Sequence, residues 1–245
     1  MDERELFIGS FAGWLRTKRG LRVKDRTKMG ARTAGGRSGH SDAASGRECL
    51  LDIAIELFAN HGIANTTVTQ IAAAGKVTSA MVHYWFETRE KLYDAIVDER
   101  LVPKIQAIWN PVDLERETAQ ELVQGLLLRM FRVTGDAPWL PSLWLREIIQ
   151  PGGLLQERVL RRVPQELNSA FRSKIAEAQA RGEINPRIDP GLLFISMLAL
   201  VMLPQATASG WHKVQPGAVA TREQMAGHTS ALLTAGLVGV APEIF

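Results

Sequence analysis

The chain has 245 residues, 46% of them hydrophobic and 22% charged, the makeup of an ordinary soluble globular protein. One cysteine, Cys49, excludes an intramolecular disulfide framework and any multi-cysteine zinc site. The formal charge of +3 is unevenly spread: residues 1–43 carry ten Lys/Arg against five Asp/Glu, residues 44–104 six against eight, and residues 105–245 thirteen of each. The opening Met1-Asp2-Glu3-Arg4-Glu5 lacks the pattern of a secretory signal, and the longest apolar run, Leu192–Leu203, is shorter than the ~20 residues of a spanning helix. The cytoplasm is therefore the expected compartment.

Taken in chain order, Phe7, Phe11, Trp14 and Leu15 have the spacing of a short amphipathic helix. Several readings stand for it: a segment that docks on the body, part of a start the cell passes over in favour of Met29, or, with its basic follow-on, a contact to anionic membrane. Between Arg16 and Arg37 nine cations face the single anion Asp25. This basic arm is either a solvated tail or a phosphate-seeking arm. Gly30–Gly46, rich in Gly, Ser, Ala and Arg, reads as a linker.

From about Ala44 the pattern turns helical. Leu50, Ala54, Leu57 and Phe58 make one apolar face, and Gly62 stands where a C-cap is expected. Thr67 and Gln70 fit a capping box for a helix over 68–75. Thr78 caps a second over 79–85, and Thr88 a third that turns Leu92, Ile96 and Val97 inward and ends near Pro103. Ile71, Val77 and Val82 form the expected buried triangle, with Ala72, Ala73 and Ala74 permitting close approach. Ser79, Ala80, His83 and Tyr84 are left facing outward. Further helices are expected over 113–133, 139–149, 153–181, 190–207 and 221–238, the fourth opened by Asp189-Pro190. Leu192–Leu203 is apolar almost all round and predicts burial on every side. The fold class is all-α, and no internal repeat is visible.

Two short helices joined by a tight turn have the dimensions of a helix-turn-helix. Leu51-Asp52-Ile53-Ala54-Ile55-Glu56-Leu57-Phe58-Ala59, His61-Gly62, Thr66-Thr67-Val68, Ile71-Ala72-Ala73-Ala74, Val77-Thr78, His83-Tyr84-Trp85-Phe86, Arg89-Glu90 and Leu92 follow in order. This string, over Arg47–Leu92, resembles the DNA-binding domain of tetracycline-repressor-like (TetR) transcriptional regulators. The resemblance implies a basic arm (1–43), a three-helix DNA-binding domain (44–104) and a helical effector-binding and dimerisation domain (105–245). It also implies that Thr66, Thr67 and Arg89 meet phosphate, that Thr78, Ser79 and Ala80 face base edges, and that His83 and Tyr84 touch the duplex. Lys76 joins this DNA-facing set from the turn, where the family usually has glycine, so a left-handed lysine or an altered turn is expected. His83 replaces the family's tyrosine.

The same resemblance implies a homodimer through the last two helices, with Met225, Thr229, Leu232, Leu233 and Gly236 offered by the final one and Ala226 and Gly236 permitting close approach. Trp109, Val123, Leu127, Met130, Phe131, Trp139, Trp144 and Ile148 would line an effector cavity, with Arg146 and Gln124 as polar groups. An apolar or aromatic small molecule suits them, although each residue taken alone fits plain core better. Gly125, mid-helix, marks close packing or ligand approach. The expected partners are operator DNA, an effector and a second copy, with no membrane. The alternative is a constitutive DNA binder or an activator without an effector. His40, His61, His83, His212 and His228 lack metal-ligand spacing, no serine sits in a Gly-x-Ser-x-Gly elbow, and Gly75-Lys76 lacks the remainder of a phosphate loop. Enzymatic chemistry, cofactor and metal are not expected.

Overall fold

A helix of 24 residues, α1 (Ser38–His61), opens the computed structural model, which describes residues 38–110, 112–163, 165–214 and 220–239. The amphipathic Phe7–Leu15 segment and the basic run Arg16–Arg37 lie outside the described residues. Residues 38–46, expected to be linker, are helical instead. Once the apolar part of α1 is anchored, each residue added ahead of it gains a hydrogen bond at little further entropic cost. Residues from Cys49 onward belong to one compact unit, and every tertiary contact described here lies within it. Leu50, Leu51, Ala54, Ile55 and Phe58 form the buried face of α1. Gly62, at φ +84°, ends it in the left-handed conformation glycine adopts without steric cost, its N–H reaching the Phe58 carbonyl at 2.9 Å.

Three short helices follow, each opened by a threonine cap: α2 (Val68–Ala74), α3 (Ser79–Phe86) and α4 (Arg89–Ile96). The capping box is as expected, with the Thr67 N–H donating to Gln70 Oε1 at 2.7 Å and the Gln70 N–H to Thr67 Oγ1 at 3.2 Å. Lys76 takes the left-handed conformation, at φ +55°. Glycine is needed one residue earlier: a Cβ on Gly75 would stand 2.3 Å from Leu50 Cδ2, so its absence lets the turn press on α1. Ile71 and Val82 are buried as expected, but Val77 is only half-buried. Of the three alanines only Ala72 meets the neighbouring helix, since Ala73 and Ala74 turn to solvent.

The chain does not stop near Pro103. A π-helical turn (Val97–Leu101) joins α4 directly to α5 (Val102–Trp109), making one helical path from Arg89 to Trp109. Pro103 falls in the first turn of α5, where its missing N–H costs least, and the wider π turn ahead of it relieves the ladder that a proline would otherwise break.

Beyond it come α6 (Ala119–Asp136), α7 (Leu140–Trp144) continued by a second π-helical turn (Leu145–Ile149), α8 (Gln156–Leu160), α9 (Gln165–Ala180), α10 (Pro190–Val214) and α11 (Arg222–Val238). The stretch 153–181, expected as one helix, is thus two. Trp109, Phe171 and Phe194 join α5, α9 and α10, with ring centroids 5.2–6.4 Å apart. Asp189 caps α10, its Oδ1 accepting from the Gly191 N–H at 2.6 Å. This helix runs seven residues past its expected end and through Pro204, where Gln205 and Thr207 donate to the Val201 and Leu203 carbonyls, both at 2.7 Å.

The expectation for Leu192–Leu203 fails in an informative way. Leu193, Met197, Leu198, Val201 and Met202 are buried, whereas Leu192, Leu203, Trp211 and Val214 are each more than half exposed. The described residues supply packing for only one face of α10. Among the described residues α10 is the one helix long and apolar enough to cross a membrane. On α11, Thr229 and Leu237 face inward while Leu232 and Val238 face out, next to exposed Gly227, Ala231 and Ala235.

Candidate nucleic-acid interface and effector cavity

The helix-turn-helix presents α3 to solvent. Val82 and Phe86 anchor its inner side, while Ala80, His83 and Tyr84 point outward, Tyr84 with 77% of its surface accessible. Ser79 is half-buried at the first turn, and Thr78, Lys76 and Thr67 are exposed. His83 Nδ1 lies 3.3 Å from the Glu87 carbonyl. Two residues depart from the expected phosphate-facing set. Thr66 is 2% exposed and its hydroxyl donates to the Gly62 carbonyl at 2.8 Å, because it closes the loop after α1. Arg89 bends inward: its Nη2 donates to the carbonyls of Ile63 (3.0 Å) and Thr66 (2.8 Å), and its guanidinium lies 5.8 Å over the Tyr93 ring.

The loop Asn60–Thr66, which sets the approach of α2, is held from a second side. Arg146 donates to the Asn60 carbonyl at 3.3 Å. The Ile63 N–H donates to Glu147 Oε1 at 2.9 Å, and Glu147 is only 6% exposed. A buried carboxylate that satisfies a buried backbone N–H makes a strong, geometrically specific bond. Both residues belong to the π-helical turn after α7.

A second cross-link grips α4 and the first π turn. Arg158 Nε reaches Asp94 at 3.2 Å; Arg162 reaches Asp94 at 3.1 Å and Asp98 at 2.6 Å. The hydrogen bond to Asp98 holds the Arg162 guanidinium above its ordinary value, against the burial that opposes it. Tyr93 packs between Arg89 and Arg158, and burial pushes its phenol up.

A cavity of about 520 Å³ lies beyond these links, within the usual size of small-molecule sites. Trp109, Met130, Trp144 and Ile148 line it as expected. Val123, Leu127 and Phe131 do not: they occupy the buried face of α6, which points into the helical core. Trp139, the cap of α7, is also off the wall. Gln124 donates to Thr234 Oγ1 at 3.3 Å on α11, and Arg146 serves the Asn60 carbonyl, so neither is a cavity group. Gly125 makes room for the Arg129 guanidinium, 2.9 Å from where a Cβ would stand, rather than for a ligand.

Residues 50–96 match the family described as bacterial regulatory proteins, tetR family. The chain carries a TetR-family DNA-binding domain. No curated protein matches the sequence. Among solved structures the chain is similar to the ketosteroid transcriptional regulator KstR2 of Mycobacterium tuberculosis, at 19% identity and a TM-score of 0.61 over 84% of this chain and 98% of that one. It is similar also to AibR in complex with isovaleryl coenzyme A and operator DNA, at 19% identity and a TM-score of 0.61 over 76% of this chain and 97% of that one. At this identity the likeness is one of fold.

Around the TetR-family domain, the residues that sequence reasoning missed are those reaching it from elsewhere. Asp94/Asp98 and Arg158/Arg162 share the (i, i+4) spacing of residues on one helix face, a signal open to inspection, but nothing local says that these faces meet. Glu147 carries no such signal. Neither do Gln156, Val159 and Leu160, the part of the cavity wall that depends on where α8 packs.

Proposed function

We propose that the protein is a homodimeric transcriptional repressor that grips a palindromic operator and releases it when an apolar small molecule enters the cavity. The observation that carries this reading is the helical path Arg89–Trp109: it starts two residues after α3, and its last two turns wall the cavity. Thr78, Ser79, Ala80, His83 and Tyr84 face the major groove, and Thr67 and Lys76 meet the adjoining phosphates. The exposed faces of α10 and α11 pair with their copies, setting the two recognition helices about 34–36 Å apart, one turn of duplex. Those faces meet a second chain rather than lipid, and the protein works in the cytoplasm.

Effector and operator are coupled because each favours a different arrangement of the same helices. Ligand against Ile105 and Ile108 bears on the rod itself. Ligand against Ile148 bears on the π turn that holds Asn60 and Ile63, and ligand against Val159 bears on the segment whose arginines hold Asp94 and Asp98. The AibR complex, which contains both isovaleryl coenzyme A and operator DNA, supports the reading that this fold serves both partners. The test is a gel shift on DNA upstream of the protein's own gene, titrated with candidate effectors. Release by one of them is the expected result; binding that no compound alters supports the alternative, a constitutive binder.

The charge balance adds a prediction. The segment 44–104 is net negative, so the basic arm supplies the missing phosphate neutralisation, each phosphate adding about 0.9 to the slope of log affinity against log salt. A chain beginning at Ser41 is expected to show a slope shallower by at least about one. Equal slopes for the two chains would end the arm's role on DNA.

A further inference from the structure

The cavity wall carries an asymmetric set of polar groups. Lys104 on α5, Gln156 on α8, and Gln165 and Asn168 on α9 contribute to it, and among the described residues no carboxylate does. Gln165 and Asn168 are exposed while Lys104 and Gln156 are half-buried, so these groups form the rim; Trp109, Met130, Leu140 and Met202 are buried behind them. Lys104 makes no ion pair or hydrogen bond among the described residues. Lys104 is the one cation among the lining residues, and Arg158 and Arg162 are committed to Asp94 and Asp98. Trp144 also lines the cavity, but its indole Nε1 is fully buried and so presents no donor to a ligand.

These facts narrow the ligand. An ammonium at the edge of an apolar cavity gains most from an anionic oxygen. A cationic ligand would meet Lys104 as a like charge with no carboxylate to offset it. A polyanion would find one cation on the wall itself. A wholly apolar ligand would cover Lys104 further and leave it without a partner.

We propose that the cavity takes an apolar monocarboxylate, its hydrocarbon or ring body against the buried wall and its carboxylate at the Lys104 ammonium. The amides of the rim donate to the outer carboxylate oxygen. The inference rests on the effector reading above and names the chemical class it left open.

The test is calorimetric titration of the full-length chain with octanoate against octanol and with naphthoate against naphthol, at neutral pH. At least one acid is expected to bind saturably and about tenfold more tightly than its alcohol, the scale of one charge-assisted hydrogen bond. Lys104→Met should erase that preference while leaving alcohol affinity unchanged, which also shows that the variant is folded; Lys104→Arg should retain it. Equal affinity for acid and alcohol, a preference that survives in Lys104→Met, or no saturable binding by either acid overturns the proposal. A parallel gel shift separates the two readings. Acids that bind but leave the DNA complex intact count against the effector role and not against the ligand class. Failure of both acids alongside release by an uncharged compound counts against the ligand class alone.

Discussion

A chain carrying Leu203→Glu is expected to sediment as a monomer and to bind a palindromic operator at least about a hundredfold more weakly than the unaltered protein. Leu203 sits on the outward face of α10 with Leu192, Trp211 and Val214, where no element among the described residues covers it. An exposed apolar face of this extent marks an interaction surface. The adjoining face of α11 is lined by Gly227, Ala231 and Ala235, small enough for helix backbones to approach closely. In a two-fold interface the same patch meets itself, so one substitution introduces two buried charges. Once the subunits part, each recognition helix must find its half-site independently. The gain from linking two such events is typically 10²–10⁴. Because the site is exposed and off the cavity wall, folding should change little. A dimer that survives the substitution, or a monomer with undiminished operator affinity, would refute the assignment of α10 and α11 to the interface.

The contrast between the two halves of the chain explains what could be read in advance. The DNA-binding domain is built from local signals: three threonine caps, the Gly62 terminus and an apolar period that switches helix every few residues. Each acts within about one turn of its own position, so the sequence displays it directly. Thr66 and Arg89 broke the expectation because their partners, the Gly62 carbonyl and the carbonyls of Ile63 and Thr66, become neighbours only after the loop closes. The larger half depends on which faces meet. Val123, Leu127 and Phe131 share a helix face with Met130, yet only Met130 reaches the cavity, a distinction of a few ångströms that periodicity does not encode. Both π turns escaped notice for the same reason: a one-residue widening of the ladder leaves no compositional mark, although here one falls beside Pro103 and the other carries two of the residues that reach the DNA-binding domain.

Glu147→Ala should weaken the connection between cavity and DNA-binding domain while leaving both in place. Removing the carboxylate leaves the Ile63 N–H buried without its acceptor, a loss of about 2 kcal/mol, which for a chain this size lowers Tm by roughly 5 °C. Glu147→Gln keeps an oxygen for the Ile63 N–H and should fall between the two. The functional consequence is larger than the thermal one. Ile148 touches the cavity from the same turn on which Glu147 and Arg146 hold Ile63 and Asn60, so ligand contact at one residue is felt at its neighbour. With that grip released, the fold by which ligand weakens operator binding, typically 5–150 for coupled sites, should fall several-fold, leaving the share carried through α5 and through Arg158 and Arg162. Ligand affinity measured without DNA should stay within about threefold, since Glu147 itself is off the cavity wall and reciprocity ties only the coupling term to both sites. Calorimetry with the monocarboxylate that binds, run beside gel shifts with and without it, reads both quantities. A lowered Tm with the full operator response intact would make Glu147 a packing residue and shift the coupling to the path through Arg158 and Arg162.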